Sequence, residues 1–474
     1  MTSGRGCTAR WVFGLVLMIA PALAAAQEGT LHAELRGEAG RVANACGAFQ
    51  WGAIAGCAVA LATDTPLHLS VGSLPPQNGL GVGEAFALGK ATSNWRMNWD
   101  IDGVATLNGS WRTGVMMTMA RAAQEPTMVI SHNPDARTKK RLRPFTHATS
   151  VYRFYLQSSA IAALDFYGLG DDAPAANASV FGMRETIAGA SAIKPVTEWS
   201  AAQTLDLSLF GSVNGRFVKI DAPTGQPFAP VTTTFTAATA PGLSHQPVFL
   251  QATQGLRIAP SVGALHLDYA VSIDEFEAAS SAHNSFLRWT FDLNHTVGLY
   301  GKGPAVSQAP TFGPDQCADV GTACAAISRE RNLSGSVGFE LRVVESAAGS
   351  ANTIPFYFQP TLGGSDINGT TSLGSYADYR FRAPNLLLLR EHFEHSLWGP
   401  FGFEALADEG RVALTRSSLG FDHLRHSFAA GITLRAGGFP VVNMLFAWGG
   451  GEGTHTIFGV DSSLMGGAAR PDYD

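Results

Sequence analysis

Residues 286–300, FLRWTFDLNHTVGLY, alternate between apolar and polar side chains almost without interruption. Leu287, Trp289, Phe291, Leu293, Val297 and Leu299 share one parity; Arg288, Thr290, Asp292, Asn294, Thr296 and Gly298 share the other. A strand turns successive side chains to opposite faces, so this segment reads as a strand with one apolar and one polar face. In a soluble sandwich the apolar face covers a core. In a membrane barrel the order is inverted, with apolar residues towards lipid and polar ones towards a lumen.

The destination of the chain decides between the two. Arg5 and Arg10 precede the apolar run 11–25, and small residues then offer Ala-x-Ala choices ahead of Gln27. This pattern predicts a secretory signal peptide over 1–27, and Pro21 with the short run argues against a retained membrane helix. Cys7 lies ahead of the apolar run, where a lipoprotein cysteine would not be. The next most apolar stretch, 51–62, falls short of the roughly 20 residues a spanning helix needs. An exported chain beginning near Gln27 or Glu28 is therefore expected.

Charged residues make up 15% of the sequence, well below the roughly 25% of soluble domains. Beyond the signal peptide stand 30 basic against 38 acidic residues, a net charge of −8, so no basic surface for nucleic acid is expected. Low charge, 53 glycines and a mean hydropathy near zero suit a membrane barrel, in which polar and apolar residues cancel along each strand. Four cysteines remain after processing. In an exported chain their even count favours disulfides, predicted as Cys46–Cys57 and Cys317–Cys324.

The same alternation recurs at 80–89, 95–102, 109–120, 146–159, 178–190, 205–214, 246–258, 265–274, 337–343, 352–359, 386–397, 400–410, 424–436, 440–449 and 453–464. With 286–300 these runs total sixteen, each close to the ~9–11 residues of a tilted membrane strand. An even number permits closure without an unpaired edge in lipid. The predicted class is all-β: a transmembrane antiparallel β-barrel over 65–474, preceded by a short periplasmic or plug segment at 28–64. Long connections at 121–145, 217–245, 301–333 and 360–385 are expected to face outward, since long loops in such barrels usually do. The basic cluster 137–143, RTKKRLR, reads as a solvated part of one of them.

A more specific likeness lies in the stretch PTLGGSDINGTTSLGSYADYRFRAPN, residues 360–385, and in the LLLLREHFEHSLWGPFGFEALADEGRV that follows. Leu362-Gly363-Gly364, Tyr379-Arg380-Phe381-Arg382 and Asp408-Glu409-Gly410-Arg411-Val412, with HSFAAGITLRAGG and GGGEGTHTIFGVD further on, resemble the C-terminal half of the bacterial surface-antigen, or BamA/TamA-type, outer-membrane barrels. Phe166-Tyr167-Gly168-Leu169-Gly170-Asp171 also resembles a signature of that family. The likeness is most specific over 356–464. It implies sixteen strands and a loop near 360–385 folded back into the lumen. In the family that loop carries an Arg-Gly-aromatic tip whose arginine contacts an aspartate on a barrel strand.

Here the tip reads Leu373-Gly374-Ser375-Tyr376, so Gly374 stands where the arginine is expected, while Asp408 matches the acidic partner. Arg380 and Arg382 are the available substitutes, predicted to hold the loop to Asp408 or to a nearby lumen carboxylate such as Glu404. A dehydrated carboxylate needs such a partner. Residues 28–64 are too few for one POTRA domain, the periplasmic module with which protein-inserting members capture substrates.

Catalytic patterns do not emerge. The sequence has no Gly-x-Ser-x-Gly elbow. His283 and Ser285 lack a third orienting residue. The pairs His392/His395 and His423/His426 have a spacing that puts their side chains on opposite faces of a strand. Gly79-x-Gly81-x-Gly83 opens a strand with no helix behind it, unlike a nucleotide loop. The expectation is a non-enzymatic, monomeric barrel without cofactor or metal. It would partner outer-membrane lipid and, for its own insertion, the barrel assembly machinery. Two tasks stay open: assisting insertion or transport of envelope components, or acting as a passive or substrate-specific porin.

Overall fold

The computed structural model describes residues 67–121, 150–196, 205–223, 225–262, 264–279, 282–300, 334–398, 400–436, 439–460 and 470–473. The signal peptide, the segment 28–64, the cluster 137–143 and Cys46, Cys57, Cys317 and Cys324 all lie outside them.

Sixteen long strands appear among the described residues. The first four are β1 Leu67–Ser73, β2 Leu80–Ala91, β3 Trp95–Ala105 and β4 Trp111–Arg121. Then come β5 Val151–Phe166, β6 Ser179–Pro195, β7 Leu205–Asp221 and β8 Val248–Val262. The third quarter is β9 Leu265–Ala278, β10 Phe286–Gly298, β11 Gly335–Ala348 and β12 Asn385–Trp398. The last are β13 Phe401–Ala413, β14 Arg425–Ala436, β15 Phe439–Trp448 and β16 His455–Val460. Each pairs antiparallel with the next in chain order, as in Leu293↔Leu341 between β10 and β11. A two-residue strand, Ala229–Pro230, adds a short parallel pairing to the start of β6.

The sheet is inside-out relative to a soluble protein. Outward positions hold large apolar side chains such as Val115, Leu156, Val213, Phe291 and Ile432, all exposed. Directly opposed residues share a face: Val115 faces Leu156, Val271 faces Phe291, and Phe428 faces Trp448. The exposed residues therefore join into a belt across strands rather than scattering singly. Inward positions are polar and buried, among them Gln157, Glu185, Asn214, Arg216, Gln251, Arg288 and Asp408. On β10 the parity read from sequence holds: Leu287 and Phe291 are exposed, while Arg288 is buried and Asp292 pairs inward with Arg342 at 2.6 Å.

The sheet rolls round the long β11–β12 connection. Tyr379 in that connection donates to the Pro76 carbonyl in the β1–β2 turn at 3.2 Å. Ala377, two residues earlier, donates its N–H to Glu452 in the β15–β16 turn at 3.3 Å. The two ends of the sheet thus touch one and the same tongue of chain, which makes it the lumen filling of a barrel. At one end of the barrel an apolar cluster closes over the interior: Phe166, Phe181, Phe249, Phe276 and Phe286 from strand ends meet Phe356, Tyr357 and Phe358. Each such ring contributes about 1.5–3 kcal/mol on full burial.

Three expectations need correction. Residues 352–359 form no strand; Pro355 is followed by a 3-10 turn, Phe356–Phe358, with all three side chains buried. Three consecutive apolar residues have no polar face to show, and Pro355 cannot donate to a ladder. The strand absent from the predicted set is β1, whose short LHLSVGS does alternate. The two errors cancel in the count. The long connections also do not share one side. Up-and-down order puts β4–β5 and β10–β11 at one end, and β7–β8 and β11–β12 at the other.

Candidate functional site

The β11–β12 connection, residues 349–384, builds a tongue inside the barrel. Its stem is a two-residue ladder, Thr361↔Arg382 and Leu362↔Phe381. Further in, the Asp366 carboxylate accepts the N–H groups of Asn368 at 2.9 Å and Thr370 at 2.7 Å. That local capture is what makes Asp-x-Asn-Gly a turn sequence. Ser372 donates its N–H to the Gly364 carbonyl at 2.8 Å, closing the tongue on itself. The stem also accepts a neighbour: Gly170 N–H donates to the Arg382 carbonyl at 2.8 Å. The two segments that carry the family likeness, 166–171 and 360–385, are therefore in direct contact.

The tip is held by Asp408 on β13. Its Oδ2 accepts the Leu373 N–H at 2.8 Å. Leu373 is fully buried with φ +47°, a left-handed conformation that a leucine holds only when its surroundings over-determine it. The cation beside Asp408 is neither Arg380 nor Arg382 but Arg390. Arg390 and Asp408 are register partners on β12 and β13, with Nε–Oδ1 at 2.8 Å and Nη2–Oδ2 at 3.1 Å. Arg390 also donates to the Thr371 carbonyl in the tongue. The wall thus supplies both charges, and the tip contributes only backbone groups.

Gly374 lies where the tip comes close to the wall. A Cβ added there would lie 2.4 Å from the Ile457 side chain on β16 and 3.3 Å from Ala447 on β15. A side chain at the tip would require the Ile457 side chain to move aside. Next to it, Ser375 N–H donates to Ser427 on β14 at 2.9 Å. The Tyr376 ring packs on Phe381 at 5.0 Å between centroids and leaves no room for a Cβ on Gly450.

Arg380 does reach a barrel carboxylate, but that of Glu452, at 2.5 Å, and not Asp408 or Glu404. Its guanidinium also donates to the Ala173 carbonyl at 2.9 Å and lies 5.0 Å from the Tyr167 ring centroid. Arg382 donates to the Phe356 carbonyl at 2.8 Å, tying the stem to the 3-10 turn. Glu404 instead faces His392 at 3.5 Å and accepts from Asn443 at 3.3 Å. A further clasp, unforeseen in the sequence, joins Arg425 at the start of β14 to Asp171 at 3.2 Å. Asp378 is half-buried in the tongue and accepts the Ser365 N–H at 2.8 Å. Desolvation raises its carboxyl from the ordinary aspartate value despite that bond.

Arg390, Glu452 and Arg425 are the site residues that sequence reading missed. For Arg390 a signal existed: Arg390, His392 and Glu394 occupy alternate positions and mark the wet face of β12. Four leucines ahead of them hide the alternation.

No family model and no curated protein matches the chain. The structure is similar to the barrels of CdiB and BamA. CdiB from Acinetobacter baumannii superposes with a TM-score of 0.44 at 10% identity, over 82% of this chain and 58% of that one. BamA from Haemophilus ducreyi lacking POTRA domains 1–3 gives 0.42 at 10% identity, over 82% and 66%. CdiB from Escherichia coli gives 0.44 at 10%, over 81% and 58%. This chain thus spans less than two thirds of the length of each of these proteins. Likeness this loose carries no functional assignment, and the site rests on the chain's own geometry.

Among the described residues, cavities lie beside the tongue, two of them notable. One of about 390 Å³ is lined by Asn294, Thr296, Glu340, Arg390 and Glu404 with Gly369 and Thr371 of the tongue. The other, about 650 Å³, lies against Arg153, Arg257, Asp274, Arg342 and the opposite face of the tongue from Pro360 to Ser372. Along these cavities Arg257 pairs with Asp268, Arg342 with Asp292 and Arg390 with Asp408, while Asp274 accepts from Gln251 and Thr253.

Proposed function

We propose that this chain is an integral outer-membrane β-barrel of the surface-antigen superfamily, non-enzymatic, that assists insertion or transport of envelope components. The observation that carries the reading is the anchored tongue. A passive pore needs a clear lumen, whereas here a 36-residue connection (349–384) enters it and is fixed to the wall by Asp408, Ser427, Glu452 and Pro76. Membrane residence is supported by the outward belt. A continuous band of exposed Leu, Val, Phe and Ile is costly in water and favourable in lipid.

The sheet edges give the working surface. Among the described residues no ladder joins β1, described from Leu67, to β16, described to Val460. A seam that opens between these two edge strands would perturb the surrounding bilayer, which is how a barrel with a filled lumen could aid insertion. Fractionation with heat-modifiability tests the location, and liposome insertion of an unrelated outer-membrane barrel, with and without this protein, tests the task. A folded protein that stays in the soluble periplasmic fraction contradicts the location. A rate of insertion unchanged by its presence contradicts the task.

A further inference from the structure

Beyond β16 the segment Arg470–Tyr473 lies inside the barrel, and the wall there is built to receive it. Arg216 on β7 is 2% exposed and donates to two consecutive carbonyls: Nη2 to Asp472 O at 2.8 Å and Nη1 to Tyr473 O at 2.9 Å. Its own position is fixed by Glu185 at 2.9 Å and Gln251 at 2.7 Å. From the opposite side, the Tyr473 N–H donates to Asn368 Oδ1 of the tongue at 2.9 Å. Arg470 pairs with buried Asp102 on β3 and donates to Gln157 on β5 at 3.1 Å. The Tyr473 side chain is 6% exposed, within the apolar cluster of Phe358 and Tyr379. Pro471 and Asp472 form part of the lining of the 650 Å³ cavity.

The contacts are of the kind that recognise a peptide. Main chain is captured by a donor on one flank and an acceptor on the other, while one cationic and one aromatic side chain enter separate receptors. We infer that Arg216, Asn368, Asp102 and Gln157 form a peptide-binding site inside the lumen, and that this chain's own segment Arg470–Tyr473 is its resident ligand. The segment and the tongue hold each other: Asn368 reaches Tyr473 only while Asp366 keeps the tongue's turn folded. The inference rests on the barrel with a filled lumen proposed above.

The test uses a synthetic peptide of residues 470–474, fluorescently labelled at its amino end, titrated against three detergent-folded proteins. These are the full chain, the chain without residues 470–474, and that shortened chain carrying Glu185→Leu with Arg216→Met. The double change replaces a buried pair by apolar residues of similar size, a swap that folded proteins often tolerate. Heat-modifiability of each protein establishes that its barrel is folded, so loss of the barrel is read separately from loss of the site. The shortened chain should bind the peptide. The full chain should bind it at least about tenfold more weakly because its site is filled, and the double variant at least about tenfold more weakly because two charge-assisted bonds are gone. A heat-modifiable shortened chain that does not bind, or that binds equally well with and without Arg216, overturns the inference.

Discussion

Arg390 and Asp408 stand directly opposite each other on β12 and β13, joined by two hydrogen bonds, and between them hold the tongue at Leu373 and Thr371. The ion pair lies within the wall, so the tongue docks onto a receptor that is already complete. A loop-borne arginine would have to bring its charge into the lumen and lose its hydration there.

The first prediction is a pattern of coupling energies. Removing one partner of a buried pair costs about 3–5 kcal/mol, because the other charge is left without compensation. Asp408→Asn and Arg390→Gln should each destabilise the folded barrel strongly, and their double variant should show large coupling. Arg380 should couple to Glu452, and neither Arg380 nor Arg382 should couple to Asp408. Double-mutant cycles on unfolding in urea measure all of these; strong Arg380–Asp408 coupling would contradict the assignment.

The second concerns the tip. Gly374→Arg inserts a side chain where even a Cβ would meet Ile457 and Ala447, so it should eject the tip instead of restoring a family-like contact. Limited proteolysis of the folded protein should cut the tongue in this variant and spare it in the parent. Equal protection would show that the wall can yield.

The faces of β10 provide the third. Leu293→Arg puts a cation on the outer face, at a cost of about 2–4 kcal/mol near the bilayer midplane. Asn294, lining the smaller cavity, should accept arginine with little effect. Assembly yield of heat-modifiable protein compares them, and equal loss in both would refute the facing.

A fourth follows from Asp378. Its carboxyl is raised above the ordinary aspartate value, chiefly by desolvation. A group raised in the folded state favours folding while protonated in both states, and that contribution disappears as pH climbs through the raised value. Tongue protection should therefore fall as pH rises through that raised value. Asp378→Asn should flatten that dependence, since the amide oxygen can still accept the Ser365 N–H. A pH profile identical in parent and variant would exclude Asp378 as its source.

Most of the architecture was legible in the sequence because it repeats: period-two alternation in strand after strand marks both faces, and β10 alone predicts the inverted burial of Phe291 and Asp292. The region 352–359 was misread because Phe356–Phe358 pack into an interior cluster made of distant strand ends, a property of the assembled barrel. The tongue's existence was carried by its motif, but its partners were not. Arg380 reaches Glu452, and not Asp408, because the stem ladder Thr361↔Arg382 places Arg380 beside the β15–β16 turn, while Arg390 already faces Asp408 by strand register. Such pairings depend on which wall the rolled sheet brings opposite the tongue.

The most direct test of a filled lumen is single-channel recording of the purified barrel in planar bilayers, with and without residues 364–378. The intact protein should show little steady conductance, and the shortened one, if heat-modifiable, should open a stable pore. Steady porin-like conductance from the intact protein, unchanged by removing the tongue, would contradict the account.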